Sequence, residues 1–240
     1  MSNSNSLSQW FSTSPVLSVP RRATWRVITW LLAQRNMTAV PAVENGHRAK
    51  DYDLIRGVIR ETDMLLLHDE AYQLLSCVRA TANTPGEIAE VGVYRGGSAR
   101  LICEGRGDKT LYLFDTFEGL PTTDRLDSRF AAGQYAASVD SVQSYLARFP
   151  NVQVHKGFFP ATSAPIADKR FSFVHLDVDL YQPTHDSLEF FYPRMNQGGI
   201  FLIHDYLWAE GVRKAVQEFF AQRLEPILEL AGAYCGIVKL

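Results

Sequence analysis

The chain has 240 residues, 46% of them hydrophobic and 21% charged, with a formal charge of −2 and a pI near 6.3. That balance excludes wholesale disorder and a global basic field for nucleic acid or anionic lipid, and a chain of this length can bury roughly 70–75% of its unfolded surface without a disulfide or metal. No apolar run reaches the ~18 residues of a membrane span, and Cys77, Cys103 and Cys235 form no Cys-x-x-Cys pair. The opening MSNSNSLSQWFSTSP lacks the charged-then-apolar order of a secretory signal. The expectation is a cytoplasmic protein with no membrane or nucleic-acid partner, its cysteines serving as buried small hydrophobes.

In chain order, residues 1–20 are rich in Ser and Asn and read as a flexible arm. The segment RRATWRVITWLLAQR (21–35) reads as a helix whose apolar side needs a surface to cover it, so a homodimer is expected. Two more helical patterns follow, Asp51–Glu61 and Asp69–Thr81, and the turn Asn83-Thr84-Pro85-Gly86 closes a helical extension over 21–82. This extension is assigned to association and to covering the substrate. From 83 to 240 the texture changes to short apolar runs: IAEVGV (88–93), LYLF (111–114), VQVHKGFF (152–159), FSFVHLDV (171–178) and GIFLIHD (199–205). Helical patterns at Gly97–Glu104, Val139–Phe149, Thr184–Tyr192 and Gly211–Arg223 separate them. Such alternation predicts an α/β fold with a mostly parallel, doubly wound sheet. EPILEL and YCGIVKL, joined at Gly232-Ala233, predict an antiparallel hairpin at its end.

In an open α/β sheet ligands bind beyond the carboxyl ends of the strands, so those ends hold the candidate site. The first run continues Glu90-Val91-Gly92-Val93-Tyr94-Arg95-Gly96-Gly97-Ser98. Its glycines permit either a tight strand-to-helix turn or a ligand lying on the main chain, and the following helix N-terminus offers free N–H groups to an anion. The second run ends at Asp115, followed by Thr116 and Phe117. An acid there either accepts both hydroxyls of a ribose or caps a helix. Gly157, Phe158 and Phe159 after the third run either flank a flat base or belong to the core. The fourth run carries Asp177 and Asp179, which period-two alternation places on one face, and the fifth ends in His204-Asp205. Converging carboxylates repel unless a cation or proton intervenes, and oxygen ligands suit Mg²⁺, with His204 either a nitrogen ligand or a core histidine.

The blocks EVGVYRGGSA (90–99), LFDTFEGLP (113–121), GFFPAT (157–162), LDVDLYQPT (176–184) and GGIFLIHDY (198–206) resemble the macrocin O-methyltransferase (TylF-type) group of class I S-adenosylmethionine-dependent methyltransferases. The resemblance implies a Rossmann-like enzyme that uses a divalent metal, usually Mg²⁺, to methylate a hydroxyl, often on a natural-product sugar. It implies that Glu90 and Gly92 frame the amino-acid end of S-adenosylmethionine and that Asp115 holds the ribose. Thr116 and Phe117 would lie beside the nucleoside, and Val93, Tyr94, Gly96, Ser98, Gly157 and Phe158 would complete the cofactor site with Asp177. Asp177 and Asp205 become metal ligands, with His204 beside them, and Asp177 the catalytic base. Two positions depart from the group: His204 replaces the first acid of an Asp-Asp pair, and Thr62-Asp63-Met64 stands for a Thr-Met. The polar loop 119–137 has the length of a lid over the site. The expected partner is a small-molecule hydroxyl acceptor. Two rival readings are a metal-dependent glycosyltransferase using Asp177-x-Asp179 and a non-catalytic cofactor-binding assembly protein.

Overall fold

The computed structural model describes residues 46–240 apart from residue 124. The arm at 1–20 and the helix read at 21–35 lie outside the described residues. Two helices open the described chain, α1 (Gly46–Thr62) and α2 (His68–Ala80). The alternating part follows as β1 (Glu87–Val91), α3 (Gly97–Gly105), β2 (Leu111–Asp115), α4 (Val139–Leu146), β3 (Val152–Lys156) and β4 (Phe171–Leu176). Then come α5 (Tyr181–Phe191), β5 (Met195–Ile203), α6 (Glu210–Phe220) and the short β6 (Leu228–Glu229) and β7 (Cys235–Val238). The seven strands lie in the order β3-β2-β1-β4-β5-β7-β6. Pairing is parallel from β3 to β5 and antiparallel at β5–β7 and β7–β6. The chain therefore has the doubly wound sheet and terminal hairpin that its apolar runs predict.

Period-two alternation divides the strand residues between two apolar layers. Ile88, Leu111, Leu113, Phe173 and Leu202 meet α1, α2 and α3 through Ile55, Val58, Leu74, Val78, Leu101 and Ile102. Ala89, Phe114, Val174, Leu176, Phe201 and Ile203 meet α5 and α6 through Leu188, Phe191, Val212 and Val216. Both layers exclude water, which explains why β1, β2 and β4 read as continuous apolar runs rather than half-polar ones. The helices α1 and α2 thus share the layer of α3 instead of standing apart from the sheet. Cys103 and Cys235 are buried and Cys77 is half-buried against this packing, and burial raises the thiol pKa of each, Cys103 to about 11.

Several element ends differ from the sequence reading. Helix α5 begins at Tyr181, three residues ahead of Thr184, because Pro183 in the first turn needs no amide partner there. Strand β3 stops at Lys156, where Gly157 takes φ 136 and turns the chain. Strand β4 stops at Leu176, and Asp179 adopts a left-handed φ of 63. Alternation therefore does not carry through to Asp179. Among the described residues no helix is long and apolar enough to cross a membrane.

Candidate active site

The inter-strand hydrogen bonds continue one residue beyond the strands. Gly92 N–H donates to Phe114 O (2.9 Å), Asp177 N–H to Val91 O (2.9 Å), His204 N–H to Leu176 O (2.9 Å) and Gly157 N–H to Asp115 O (2.9 Å). These bonds hold the ends of five strands, β1 to β5, in one line, and a cleft of about 320 Å³ opens above them. Gly92 makes that alignment possible. Its φ is 90, and a Cβ there would stand 1.8 Å from the Asp177 carbonyl oxygen. The neighbouring backbone at Asp177 requires a glycine here.

Of the residues singled out in the sequence, Gly92, Val93, Tyr94, Ser98, Asp115, Thr116, Gly157, Phe158, Asp177, His204 and Asp205 line the cleft. Glu90, Gly96 and Phe117 do not. Glu90 lies fully buried beneath the floor, with Oε1 2.8 Å from His175 Nδ1, while His175 Nε2 lies 2.9 Å from the Tyr234 hydroxyl. Burial raises the Glu90 carboxyl pKa and outweighs the contact with His175. Gly96 caps α3 in a left-handed conformation with φ 79. Phe117 is core, also left-handed at φ 57.

Asp115 holds the loop after β1. Its Oδ2 accepts Val93 N–H (2.7 Å) and Tyr94 N–H (2.8 Å), and its Oδ1 accepts Phe117 N–H (2.7 Å). With about four lone-pair sites on a carboxylate, three backbone donors leave capacity for one more bond. No helix starts after Asp115, so the groups it caps belong to two loops. Next to it the N-terminus of α3 has no side-chain cap, and Gly97 and Ser98 present its first turn to the cleft. Free N–H groups at such an end favour a carboxylate or phosphate. Phe114, Phe158 and Phe159 form an aromatic side of the cleft, and Phe158 is 55% exposed.

In the same cleft Asp177, His204 and Asp205 bring one ligand atom each within 4.8 Å of one another. His204 Nδ1 lies 3.0 Å from both Asp177 Oδ1 and Asp205 Oδ2. Burial alone would raise the Asp177 pKa, but His204 prevails and holds the carboxyl below its usual value. Burial opposes a charged His204, yet Asp177 first and then Asp205 and Glu70 push its pKa well above the ordinary imidazole value. Asp179 goes the other way. Burial, then the charges of Asp177 and Asp205, push its carboxyl well above its usual range. A cation seated among two carboxylates and an imidazole would relieve that crowding, and the donor set fits a divalent ion.

The loop between β2 and α4 forms a further wall. Leu120 N–H donates to Gln134 O (2.8 Å) and Gly133 N–H to Leu120 O (2.8 Å), closing the loop on itself. Gly119, Leu120, Pro121, Gln134 and Tyr135 thereby reach the cleft. Burial and then Asp179, Asp205 and Asp177 raise the Tyr135 hydroxyl pKa. Met64, Leu65 and Leu66, between α1 and α2, line the cleft from the remaining side. Sequence reading missed Tyr135, Glu70 and Tyr234. Glu70 carries a visible signal, but it is that of a helix cap: its Oε2 accepts Leu67 N–H (2.8 Å) ahead of α2.

A family model described as Macrocin-O-methyltransferase (TylF) matches residues 41–230. The chain is 30% identical over 167 residues to the 8-demethyl-8-(2,3-dimethoxy-alpha-L-rhamnosyl)-tetracenomycin-C 4'-O-methyltransferase of Streptomyces olivaceus, covering 62% of this chain and 64% of that protein. It is 32% identical over 167 residues to the mycinamicin III 3''-O-methyltransferase of Micromonospora griseorubida, covering 61% and 65%. The chain therefore spans less than two thirds of the length of these relatives. Among solved structures, the O-methyltransferase NovP superposes with a TM-score of 0.63 at 24% identity over 70% of this chain and 78% of that one. The calicheamicin methyltransferase CalS11 superposes with a TM-score of 0.62 at 18% identity over 81% and 93%. These likenesses show the fold.

Proposed function

This chain belongs to the macrocin-O-methyltransferase (TylF) family, and from that premise we propose that it is an S-adenosylmethionine-dependent, divalent-metal-assisted O-methyltransferase acting on a hydroxyl of a sugar-bearing small molecule. The observation that carries this reading is one cleft lined both by an uncapped helix N-terminus, at Gly97 and Ser98, and by the Asp177–His204–Asp205 cluster. The names of the Streptomyces and Micromonospora relatives, an O-methyltransferase of a rhamnosyl-tetracenomycin and one of a mycinamicin, support a natural-product acceptor. Family membership also weakens the Asp177-x-Asp179 glycosyltransferase alternative.

When bound, S-adenosylmethionine supplies an electrophilic methyl group, and a divalent cation supplies positive charge that acidifies the acceptor hydroxyl. Methyl transfer is an in-line displacement, so the residues act by positioning and by taking a proton. The α3 N-terminus would receive the carboxylate of the cofactor's amino-acid end, and Phe114, Phe158 and Phe159 would flank its flat base. Asp177, Asp205 and His204 would hold the cation. Asp177, which His204 keeps ionised, takes the acceptor's proton. The loop carrying Tyr135 screens the reacting oxygen from water.

The test combines calorimetry with labelled methyl transfer to a panel of glycosylated acceptors. Full-length protein should bind S-adenosylhomocysteine, lose turnover in chelator and regain it with Mg²⁺. Asp177→Asn should lower turnover by about 10²-fold or more while S-adenosylhomocysteine affinity stays near wild type. Full turnover after chelation would end the cation's part in the reading, and failure to bind S-adenosylhomocysteine would end the whole of it.

A further inference from the structure

His204 turns only one of its nitrogens to the acid cluster. Nδ1 lies 3.0 Å from Asp177 Oδ1 and 3.0 Å from Asp205 Oδ2. Nε2 points the other way, is buried, and has no hydrogen-bond partner among the described residues. The group facing it is a carboxylate from a distant helix: Glu70 Oε2, on α2, at 3.6 Å. We infer that Glu70 is the positioning residue of this site, its carboxylate facing Nε2 and so favouring the ring form that carries its proton there and presents the Nδ1 lone pair between Asp177 and Asp205. The inference rests on the cation-assisted reading above and adds to it a residue from outside the strand ends.

The chemistry of imidazole requires such a partner. A neutral ring carries one proton, and a ring that ligates through Nδ1 must carry it on Nε2. An N–H in a water-excluded place loses the full cost of desolvation unless an acceptor meets it. Metal-bound histidines commonly meet this need with a carboxylate on the far nitrogen, which fixes both tautomer and ring plane.

Glu70 is built to stay in place. It is 3% exposed, with Oε2 accepting Leu67 N–H (2.8 Å) and Oε1 accepting Ala233 N–H (2.9 Å). Each oxygen keeps a lone pair for another donor. Gly232, at φ 77, leaves the space Glu70 fills, since a Cβ there would come within 2.6 Å of Glu70 Cγ. The Tyr234 ring packs edge-on against His204 at 4.9 Å and restrains the ring's rotation, while its hydroxyl is engaged by His175. The groups around His204 are therefore the carboxylates of Asp177, Asp205, Asp179 and Glu70 and the ring of Tyr234, and among the described residues Glu70 is the carboxylate at Nε2.

Four full-length proteins test this by calorimetric titration with Mn²⁺: wild type, Glu70→Gln, His204→Asp and the double variant. Gln keeps the shape but places an N–H₂ donor among donors. Glu70→Gln should weaken Mn²⁺ about 10–100-fold, the range for losing such an outer partner. In the His204→Asp background the same change should cause no weakening, because a carboxylate ligand has no N–H to orient. In Zn²⁺-loaded, ¹⁵N-histidine-labelled protein, the His204 Nε2–H should be visible and slow to exchange in wild type, and fast to exchange in Glu70→Gln. Equal Mn²⁺ affinity in wild type and Glu70→Gln, or an equal loss in both backgrounds, overturns the assignment. A wild type that binds S-adenosylhomocysteine but neither Mn²⁺ nor Zn²⁺ overturns it together with the cation reading.

Discussion

Asp115→Asn removes one charge and replaces one acceptor oxygen by a donor, at a side chain that receives three backbone N–H groups at 2.7, 2.8 and 2.7 Å. The amide oxygen can keep two of them, those of Val93 and Tyr94, only by turning its N–H₂ toward Phe117 N–H. One buried donor then loses its partner, at about 1–3 kcal/mol, and the two remaining bonds fall from charge-assisted to neutral, at roughly 0.5–1 kcal/mol each. The expected loss is about 2–4 kcal/mol in urea unfolding followed by circular dichroism, with weaker S-adenosylhomocysteine binding because the loop from Val93 to Tyr94 is no longer held. Glu118→Gln, changing an exposed side chain of the same segment that pairs with Lys156, should unfold within ~0.5 kcal/mol of wild type. An Asp115→Asn protein with an unchanged urea midpoint would refute the view that this carboxylate organises the loop. Unchanged stability with weaker binding would instead make its role that of a ribose contact alone.

Two further outcomes follow from the geometry. Gly92→Ala combines an unfavourable φ of 90 with a contact of 1.8 Å to the Asp177 carbonyl, so thermal unfolding should show a loss of about 3 kcal/mol or more; a wild-type melting curve would mean that the β1 and β4 ends are not in fixed register. Far from the cleft, burial alone would raise the Glu225 pKa, but Lys239 at 2.6 Å and the Tyr192 hydroxyl bring it down to about 2. A folded-state pKa below the unfolded ~4.3 stabilises the protein above that value, and the stabilisation disappears as pH falls toward 2. Glu225→Gln should therefore cost about 1–3 kcal/mol at pH 7, with the difference from wild type narrowing below pH ~5; a pH-independent difference would assign the effect to packing.

The sheet was legible because both faces are covered. Continuous apolar runs mark strands of that kind, and turn residues such as Asn83 through Gly86 mark their borders. The acid cluster was legible for a related reason: polar residues directly after such runs stand at strand ends, as Asp115, Asp177 and His204-Asp205 do. The failures were of two physical kinds. Local turn chemistry overrode periodicity at Asp179, where a left-handed residue after β4 ends the alternation. Long-range pairing left no local trace elsewhere. Glu70 meets Ala233 from 163 positions away, and a sequence window around either residue shows only a helix cap or a turn. Gly92 reads from sequence as a tight turn or a ligand contact, and the carbonyl it must also clear, that of Asp177 just after β4, lies far along the chain where no local window shows it.

The line of bonds joining Gly92, Asp177 and His204 to adjacent strands also orders events in time. None of these bonds is local, so loop closure must precede every one of them, and the central strands cannot zip to their ends until β4 and β5 are both available. During synthesis, a nascent chain that has exposed β1 through β4 carries apolar strand faces with no finished cleft. His204 emerges later, and Tyr234 and Ala233, which brace His204 and Glu70, later still. The packing of His204 and Glu70 therefore depends on the terminal hairpin being in place. A ligand that binds only the site so braced would draw folding toward that state by mass action, stabilising the hairpin through a site it does not touch.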